Sequence, residues 1–282
     1  MGTDAVAVAE HALTLLCMYQ AVGAAFFVAL FEAQVPQVCA RVRRLGIAVA
    51  AGAAVLVLLQ LPLTAARMAG EFAGAADPHL LTLAAHSSRT AADALMLAGL
   101  LLLSIGHARA VRVALLGAAL SVCAPALAGH TSVNPWRAVL APLLVVHVSI
   151  GAFWLGTLWP LLLTLQREPS QLAAAVLQRF SRMAGWLVPC IALAGFGMAF
   201  LLIDDVAVLR RPYGLILLGK LMVFMILMAL AALNRWRYTP SLASQPRLAA
   251  QALRRSLMAE YLLIGAVLAM TATLTAFFSP ED

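Results

Sequence analysis

Residues His130 to Pro160 read HTSVNPWRAVLAPLLVVHVSIGAFWLGTLWP, and this stretch decides the class of fold. From Ala138 onward it is apolar and long enough to cross a bilayer, because about 20 such residues span ~30 Å of hydrocarbon. It also holds two histidines, His130 ahead of the apolar run and His147 inside it. Lipid offers an imidazole no hydrogen-bond partner, so His147 is expected to face the interior of a helical bundle.

The composition extends this conclusion to the whole chain. Of its 282 residues, 63% are hydrophobic and 11% are charged, whereas roughly 25% are charged in an average soluble domain. Eight stretches are long and apolar enough to form a span: about 12–31, 45–66, 80–105, 113–129, 138–165, 183–203, 214–233 and 257–277. The sequence therefore predicts an all-α, polytopic integral membrane protein, built as a bundle of eight transmembrane helices.

The net charge of +7 is explained by topology. Most of the nineteen Lys and Arg residues fall in alternate loops between the predicted spans: Arg41, Arg43, Arg44; Arg109, Arg112; Arg167, Arg179, Arg182; Arg235, Arg237, Arg247, Arg254 and Arg255. By the positive-inside rule these loops are cytoplasmic, which places both termini in the periplasm of a bacterium and the chain in its inner membrane. We therefore expect membrane lipid around the protein and exclude nucleic acid as a partner.

Short matches between distant segments indicate an internal repeat. Arg41-x-x-Arg44 opens the second predicted span, and Arg179-x-x-Arg182 opens the sixth. Four spans separate the two motifs, so both halves would have the same orientation. We predict two four-helix halves, residues 1–128 and 129–282, related as a parallel repeat.

Four histidines are predicted to lie at one level near the outer face. A helix rises 1.5 Å per residue, and counting from the basic end of each span places His11, His86, His130 and His147 roughly 27–30 Å away. Imidazole is the commonest metal ligand and suits copper, zinc, nickel and iron. Such a layer predicts a metal site. The alternative is that each imidazole only hydrogen-bonds to backbone or to lipid headgroups.

Other residues are candidates for a secondary metal site or for the path of an ion. Met68 and Met198 fall near the same outer level, and Cys123 lies two turns below His130; their soft sulfur atoms would favour Cu(I). Deeper in the membrane lie Asp93 and Lys220, which are expected to pair in a network with Arg89. Glu260, near the cytoplasmic boundary, is either an exit ligand or an acid that reaches the interface.

The sequence contains no motif of a nucleophilic, metalloprotease or nucleotide-hydrolysing site. GxSxG, HExxH, the Walker loop and GxGxxG are all missing. We therefore predict that the protein is not an enzyme and does not couple ATP hydrolysis to transport.

The second half of the chain resembles the CopD family of bacterial inner-membrane proteins of copper resistance and copper uptake. The residues that carry the resemblance lie within about 129–277: Gly129-His130; His147 with Phe153-Trp154-Leu155-Gly156 and Pro160; Arg179-Phe180-Ser181-Arg182; Tyr213-Gly214 and Lys220; Asn234-Arg235 and Thr239-Pro240; Arg255-Ser256 and Glu260. One departure is Thr157, where the family usually has a second glycine.

This resemblance implies copper movement from periplasm to cytoplasm. In that function the four histidines at one depth, His147, His130, His86 and His11, would bind the copper ion. It also implies a periplasmic copper-binding partner of the CopC type on a separate chain. Two alternatives remain at this point. Histidines at one depth also suit a haem-b electron-transfer protein, and a copper-holding layer also suits a non-transporting delivery or assembly partner.

Overall fold

The computed structural model describes residues 2–87, 89–129, 134–203 and 205–277. In this part of the chain the secondary structure is helical, with no strand. The α-helices are α1 (Gly2–Phe31), α2 (Pro36–Ala69), α3 (Pro78–Ala85), α4 (Thr90–Arg109), α5 (Val111–Cys123), α6 (Arg137–Arg167), α7 (Ser170–Leu202), α8 (Pro212–Leu233) and α9 (Pro246–Phe277). Short 3₁₀ segments span Phe72–Ala76, Ala124–Leu127 and Val206–Arg210, and α8 continues into a π-helix, Asn234–Tyr238, and a single turn, Thr239–Ser241.

Seven of the described helices are long and apolar enough to cross a membrane. The predicted polytopic helical membrane protein is therefore confirmed. The fourth predicted span corresponds to a shorter apolar segment, Val111–Leu127, made of α5 and the 3₁₀ segment after it. The count of eight crossings stays a prediction.

Prolines begin several of these helices. Pro36, Pro78, Pro212 and Pro246 each stand at the start of a helix, where the missing N–H costs nothing and the fixed φ suits the first turn. Asp77 caps the helix that Pro78 begins, because its carboxylate accepts hydrogen bonds from the next free backbone N–H groups, at 2.8 and 3.3 Å.

The third predicted span, 80–105, is not one continuous helix. Helix α3 ends at Ala85 and α4 begins at Thr90. Hydroxyl side chains offer the backbone local alternatives to helical bonds, and the Thr90 hydroxyl donates to the Ala84 carbonyl at 3.3 Å across this break. Because of this break, the charged Arg89 precedes the apolar helix α4 instead of lying within it.

Helix α1 forms the centre of the bundle, packed against α2, α5, α6 and α9. It crosses α6 where two glycines face each other: a methyl group on Gly156 would lie 2.5 Å from the Gly23 Cα. The Gln20 amide strengthens this crossing by donating to the Gly156 carbonyl at 2.9 Å. Small residues permit close approach of this kind, which drives helix association in lipid.

The arginine-rich segments gather at one end of the bundle, called here the basic end. Arg43 donates to the backbone carbonyl at the end of α4 and pairs with Glu32 after α1. Arg179 of α7 lies over the Phe31 ring at 5.3 Å. At the opposite end, called the outer end, Arg67 pairs with Asp4 at 3.1 Å.

The last helices are more open than the first. Helix α7 packs on α6, and α8 packs on α9. Large apolar side chains on α7 and α8 are strongly exposed, among them Trp186, Phe200 and Met222. Such surfaces are expected where a helix faces lipid tails instead of a protein neighbour.

Candidate metal and proton sites

His147 is held in an orientation that suits metal binding. Its Nδ1 lies 3.3 Å from the Ile191 carbonyl on α7. A carbonyl can only accept, so Nδ1 carries the proton and Nε2 keeps its lone pair. Metal-binding histidines commonly use this arrangement, in which the second nitrogen donates to a backbone carbonyl.

The surroundings of His147 also contain a positive charge. The ring packs against Gly195, where an added methyl group would lie 3.4 Å from Cε1, and the Lys220 ammonium of α8 acts electrostatically on the imidazole. A like charge disfavours a cation at the same place. His147 therefore combines a free ligand nitrogen with a neighbour that opposes metal charge.

His11 has the opposite tautomer. The Arg89 guanidinium lies 3.1 Å from His11 Nδ1, and a guanidinium can only donate, so Nδ1 uses its lone pair and Nε2 carries the proton. In this tautomer neither nitrogen is free for a metal. Arg89 also pairs with Asp93 at 3.5 Å, which confirms the predicted pairing of these two residues, whereas no ion pair links Lys220 to Asp93 within the described ranges.

A polar cleft at the outer end surrounds His11. Its centre is Glu10, only 9% exposed, whose carboxylate accepts from the Thr14 hydroxyl at 2.7 Å and the Gln60 amide at 3.3 Å. The cleft is also lined by Arg67 and by the end of α9. Sequence reasoning missed Glu10, although Thr14 one turn later on the same helix face was a usable signal.

The predicted histidine layer is not assembled in the described residues. His86 is exposed and its Nδ1 donates to the Thr82 carbonyl at 2.8 Å, while His130 lies outside the described residues. Within the described ranges no group of three or more His, Cys, Asp or Glu side chains is placed to hold a metal. The candidate sulfur ligands differ in exposure: Met68 is exposed, and Met198 and Cys123 are half-buried. The four-histidine site stays a prediction.

A second polar group, called here the inner cluster, consists of Trp154, Asn234 and Glu260. Glu260 of α9 is 2% exposed. It accepts hydrogen bonds from Trp154 Nε1 of α6 at 3.0 Å and from Asn234 Nδ2 at 2.5 Å. Trp154 is buried in the hydrophobic core, and its indole N–H also ties α6 to α9.

The π-helix at the end of α8 positions the inner cluster. Asn234 is its first residue, and such i→i+5 segments are rare and often occur at functional sites. The next residue, Arg235, donates to the Ser181 carbonyl of α7 at 2.8 Å. A cavity beside Glu260 is bounded by α6, α7, α8 and α9, with Asn234 and Thr239 on its wall.

These features define a polytopic helical membrane protein with buried polar groups at two depths. Residues 174–274 match the family model of CopD, copper resistance protein D. No curated protein and no solved structure matches the chain.

The matched region covers only part of the resemblance seen in the sequence. It includes Lys220, Asn234 and Glu260. It begins after His147 and Trp154, so the resemblance proposed for 129–173 is not covered by the match. Together, the family and the seven apolar helices support a copper-related function in a membrane.

Proposed function

We propose that the protein moves copper across the bacterial inner membrane from periplasm to cytoplasm, with His147 as the principal copper ligand. The observation that carries this proposal is the free Nε2 of His147. The ring is held through Nδ1 by the carbonyl of Ile191, which lies within the region that matches copper resistance protein D. Imidazole nitrogen binds both oxidation states of copper that a cell presents. The protein would act as a transporter, without a catalytic reaction of its own.

His86 and His130 would complete the site from the outer end. His86 also has a protonated Nδ1 and therefore a free Nε2. His11 would join only after its Nδ1 releases Arg89. Met68, Met198 and Cys123 would add soft sulfur ligands to a Cu(I) ion on the way in, and Asp93 and Lys220 would shape the path.

Lys220 gives the site a means of release. A like charge acting on His147 would weaken its hold on a bound cation. A transporter needs a site that binds well enough to load and weakly enough to unload. The opposing charge therefore favours passage of copper over storage.

Copper accumulation in cells tests the proposal. His147→Ala is expected to lower cellular copper and copper sensitivity at unchanged protein level, because the ligand nitrogen is lost. His79→Ala is the matched control, since His79 of α3 is an exposed histidine that the proposal does not use. Equal copper accumulation in His147→Ala and wild type would contradict the proposal.

The two alternative functions have distinct outcomes in purified protein. A haem-b protein would show a strong Soret band, which a copper transporter lacks. A delivery partner would bind copper without moving it across copper-loaded liposomes. A CopC-type protein is the expected donor on the periplasmic side, and adding it would raise the rate of uptake by the transporter.

A further inference from the structure

The Glu260 carboxyl has no compensating cation. It is 2% exposed, and within the described ranges no Lys or Arg forms an ion pair with it. A buried carboxylate without a cation is costly, and such groups gain a partner or bind a proton. Its two hydrogen-bond donors, Trp154 and Asn234, are neutral.

The two donors differ in whether they can also accept a hydrogen bond from Glu260. Trp154 can only donate, so Glu260 Oε2 must remain an acceptor in every state. Asn234 carries both an amide N–H₂ and a carbonyl oxygen, and the carbonyl oxygen is buried with no partner. A half-turn of the amide would place that oxygen where the nitrogen now lies.

The amide of Asn234 can satisfy either state of the carboxyl, because it can present its nitrogen or its oxygen to Oε1. With Glu260 ionised, the amide nitrogen donates to Oε1. With Glu260 protonated, the turned amide accepts the carboxyl hydrogen, so neither state leaves the carboxyl unsatisfied.

We propose that Glu260 and Asn234 form a proton-binding site at the basic end of the bundle, which exchanges protons through the cavity beside it. The cavity reaches both residues and extends between α7 and α8. The π-helix supplies the turn that brings Asn234 to the carboxyl. This site goes beyond the proposed copper transport, because a proton can bind here whether or not copper moves.

Charged groups on the surrounding elements are engaged elsewhere. Arg235 donates to a backbone carbonyl of α7, Arg179 lies over an aromatic ring of α1, and Lys220 acts on the histidine of α6. On α9 itself the Arg254-Arg255 pair is exposed. Within the described ranges none of these cations forms an ion pair with Glu260, which leaves the carboxyl with its two neutral donors.

Two titratable groups lie on the remaining neighbours. Tyr261 follows Glu260 on α9, and Cys17 lies on α1, which packs against α9. Both are neutral in the ordinary range of pH. The charge of the inner cluster is therefore that of Glu260 alone, and a change in pH should be read out at this carboxyl.

Infrared difference spectra of the full-length protein in lipid membranes test the site. They are recorded without copper between two pH values that both lie well above about 4.3, the ordinary pKa of an exposed glutamate. We expect a carboxylic-acid C=O band to appear on acidification and to be lost in Glu260→Gln. Glu32→Gln is the matched control, because Glu32 is an exposed acid paired with Arg43, and its band pattern should equal that of wild type. An unchanged band in Glu260→Gln, or none in wild type, would overturn the proposal.

A second variant keeps the test decisive if Glu260→Gln does not fold. Asn234→Leu retains the carboxyl and removes the acceptor of its hydrogen, so the C=O band should persist at a shifted frequency. An unshifted band would refute the role of Asn234. Because copper is absent from these spectra, a failed copper-uptake assay and a failed proton site give separate results.

Discussion

A buried imidazole joins three helices near the basic end. His107 of α4 is 2% exposed, and its Nε2 donates to the Ala21 carbonyl of α1 at 3.2 Å. The ring lies against α2 at Gly46, where an added methyl group would be 2.6 Å from Cδ2. His107 therefore locks the three helices by one hydrogen bond and one close contact.

Gly46→Ala is expected to destabilise the protein by about 1–3 kcal/mol, because the methyl group overpacks the His107 ring. The measurement is the thermal unfolding midpoint in detergent. Gly52→Ala on the same helix is the matched control, since nothing lies within 4 Å of a methyl group there. Equal midpoints for the two variants would show that His107 is not packed against α2.

A second prediction concerns the charge beside the proposed copper ligand. Lys220→Gln removes a cation that acts on His147, so copper should bind the purified protein more tightly, by up to about tenfold, or ~1.4 kcal/mol. The measurement is a copper titration with a competing chelator. In the His147→Ala background the same substitution should have no effect, and a persistent gain there would place the copper elsewhere.

Contacts between neighbours in the sequence could be predicted, whereas contacts across helices could not. Arg89 and Asp93 pair because four residues along a helix fix their relation. The bond between Trp154 and Glu260 joins residues 106 apart, and it depends on helix rotation, which a pattern of apolar residues leaves open. For the same reason the contacts of His107 with α1 and α2 could not be predicted from the sequence.

At the scale of elements, the crossing of α1 and α6 depends on two glycines. The Phe153-Trp154-Leu155-Gly156 motif places Gly156 directly against Gly23. The following residue, Thr157, is fully buried and its hydroxyl donates back to the Phe153 carbonyl at 2.7 Å. A side chain therefore fits at 157 but not at 156.

Gly156→Ala should separate α1 from α6, since its methyl group would lie 2.5 Å from the Gly23 Cα. We expect a loss of about 1–3 kcal/mol in stability, measured by thermal unfolding in detergent. Gly265→Ala on α9 is the control, with nothing within 4 Å of the new methyl group. A stable Gly156→Ala protein with an unchanged midpoint would refute the close crossing.

The existence of the long helices was predictable, and the division of one of them was not. Apolar length alone identifies a span, which is why seven of the predicted segments correspond to helices long enough to cross a membrane. The break between Ala85 and Thr90 depends on local bonds of hydroxyl groups to backbone carbonyls. These hydrogen bonds compete with the hydrogen bonds of the helix, and a hydropathy pattern contains no information about them.

For the whole molecule, the contacts of Arg67 bear on the number of crossings. Its side chain bonds to Asp4 near the start of α1 and to the Ala276 carbonyl near the end of α9. The start of the first helix and the end of the last therefore lie at the same end of the bundle. An even number of crossings satisfies this arrangement, which favours eight over seven.

The eighth crossing would be Val111–Leu127. It packs along α4 as an antiparallel hairpin, with Gly106 against Ala114 near the turn and Gly99 against Ser121 further along. Thirteen residues of α-helix and four of 3₁₀-helix rise about 27 Å, close to the ~30 Å of a bilayer core. The segment is long enough to return to the outer end.

Reporter insertions in the membrane of living cells distinguish eight crossings from seven. With eight, green fluorescent protein placed at Ala110 should fluoresce in the cytoplasm, and alkaline phosphatase placed at Pro135 should be active in the periplasm. Alkaline phosphatase fused after Phe277 should be active as well, because the arginine-rich loops stay inside. If Val111–Leu127 does not cross, the reporters at Ala110 and Pro135 would fall on the same side, and both the eight-helix bundle and its periplasmic termini would have to be abandoned.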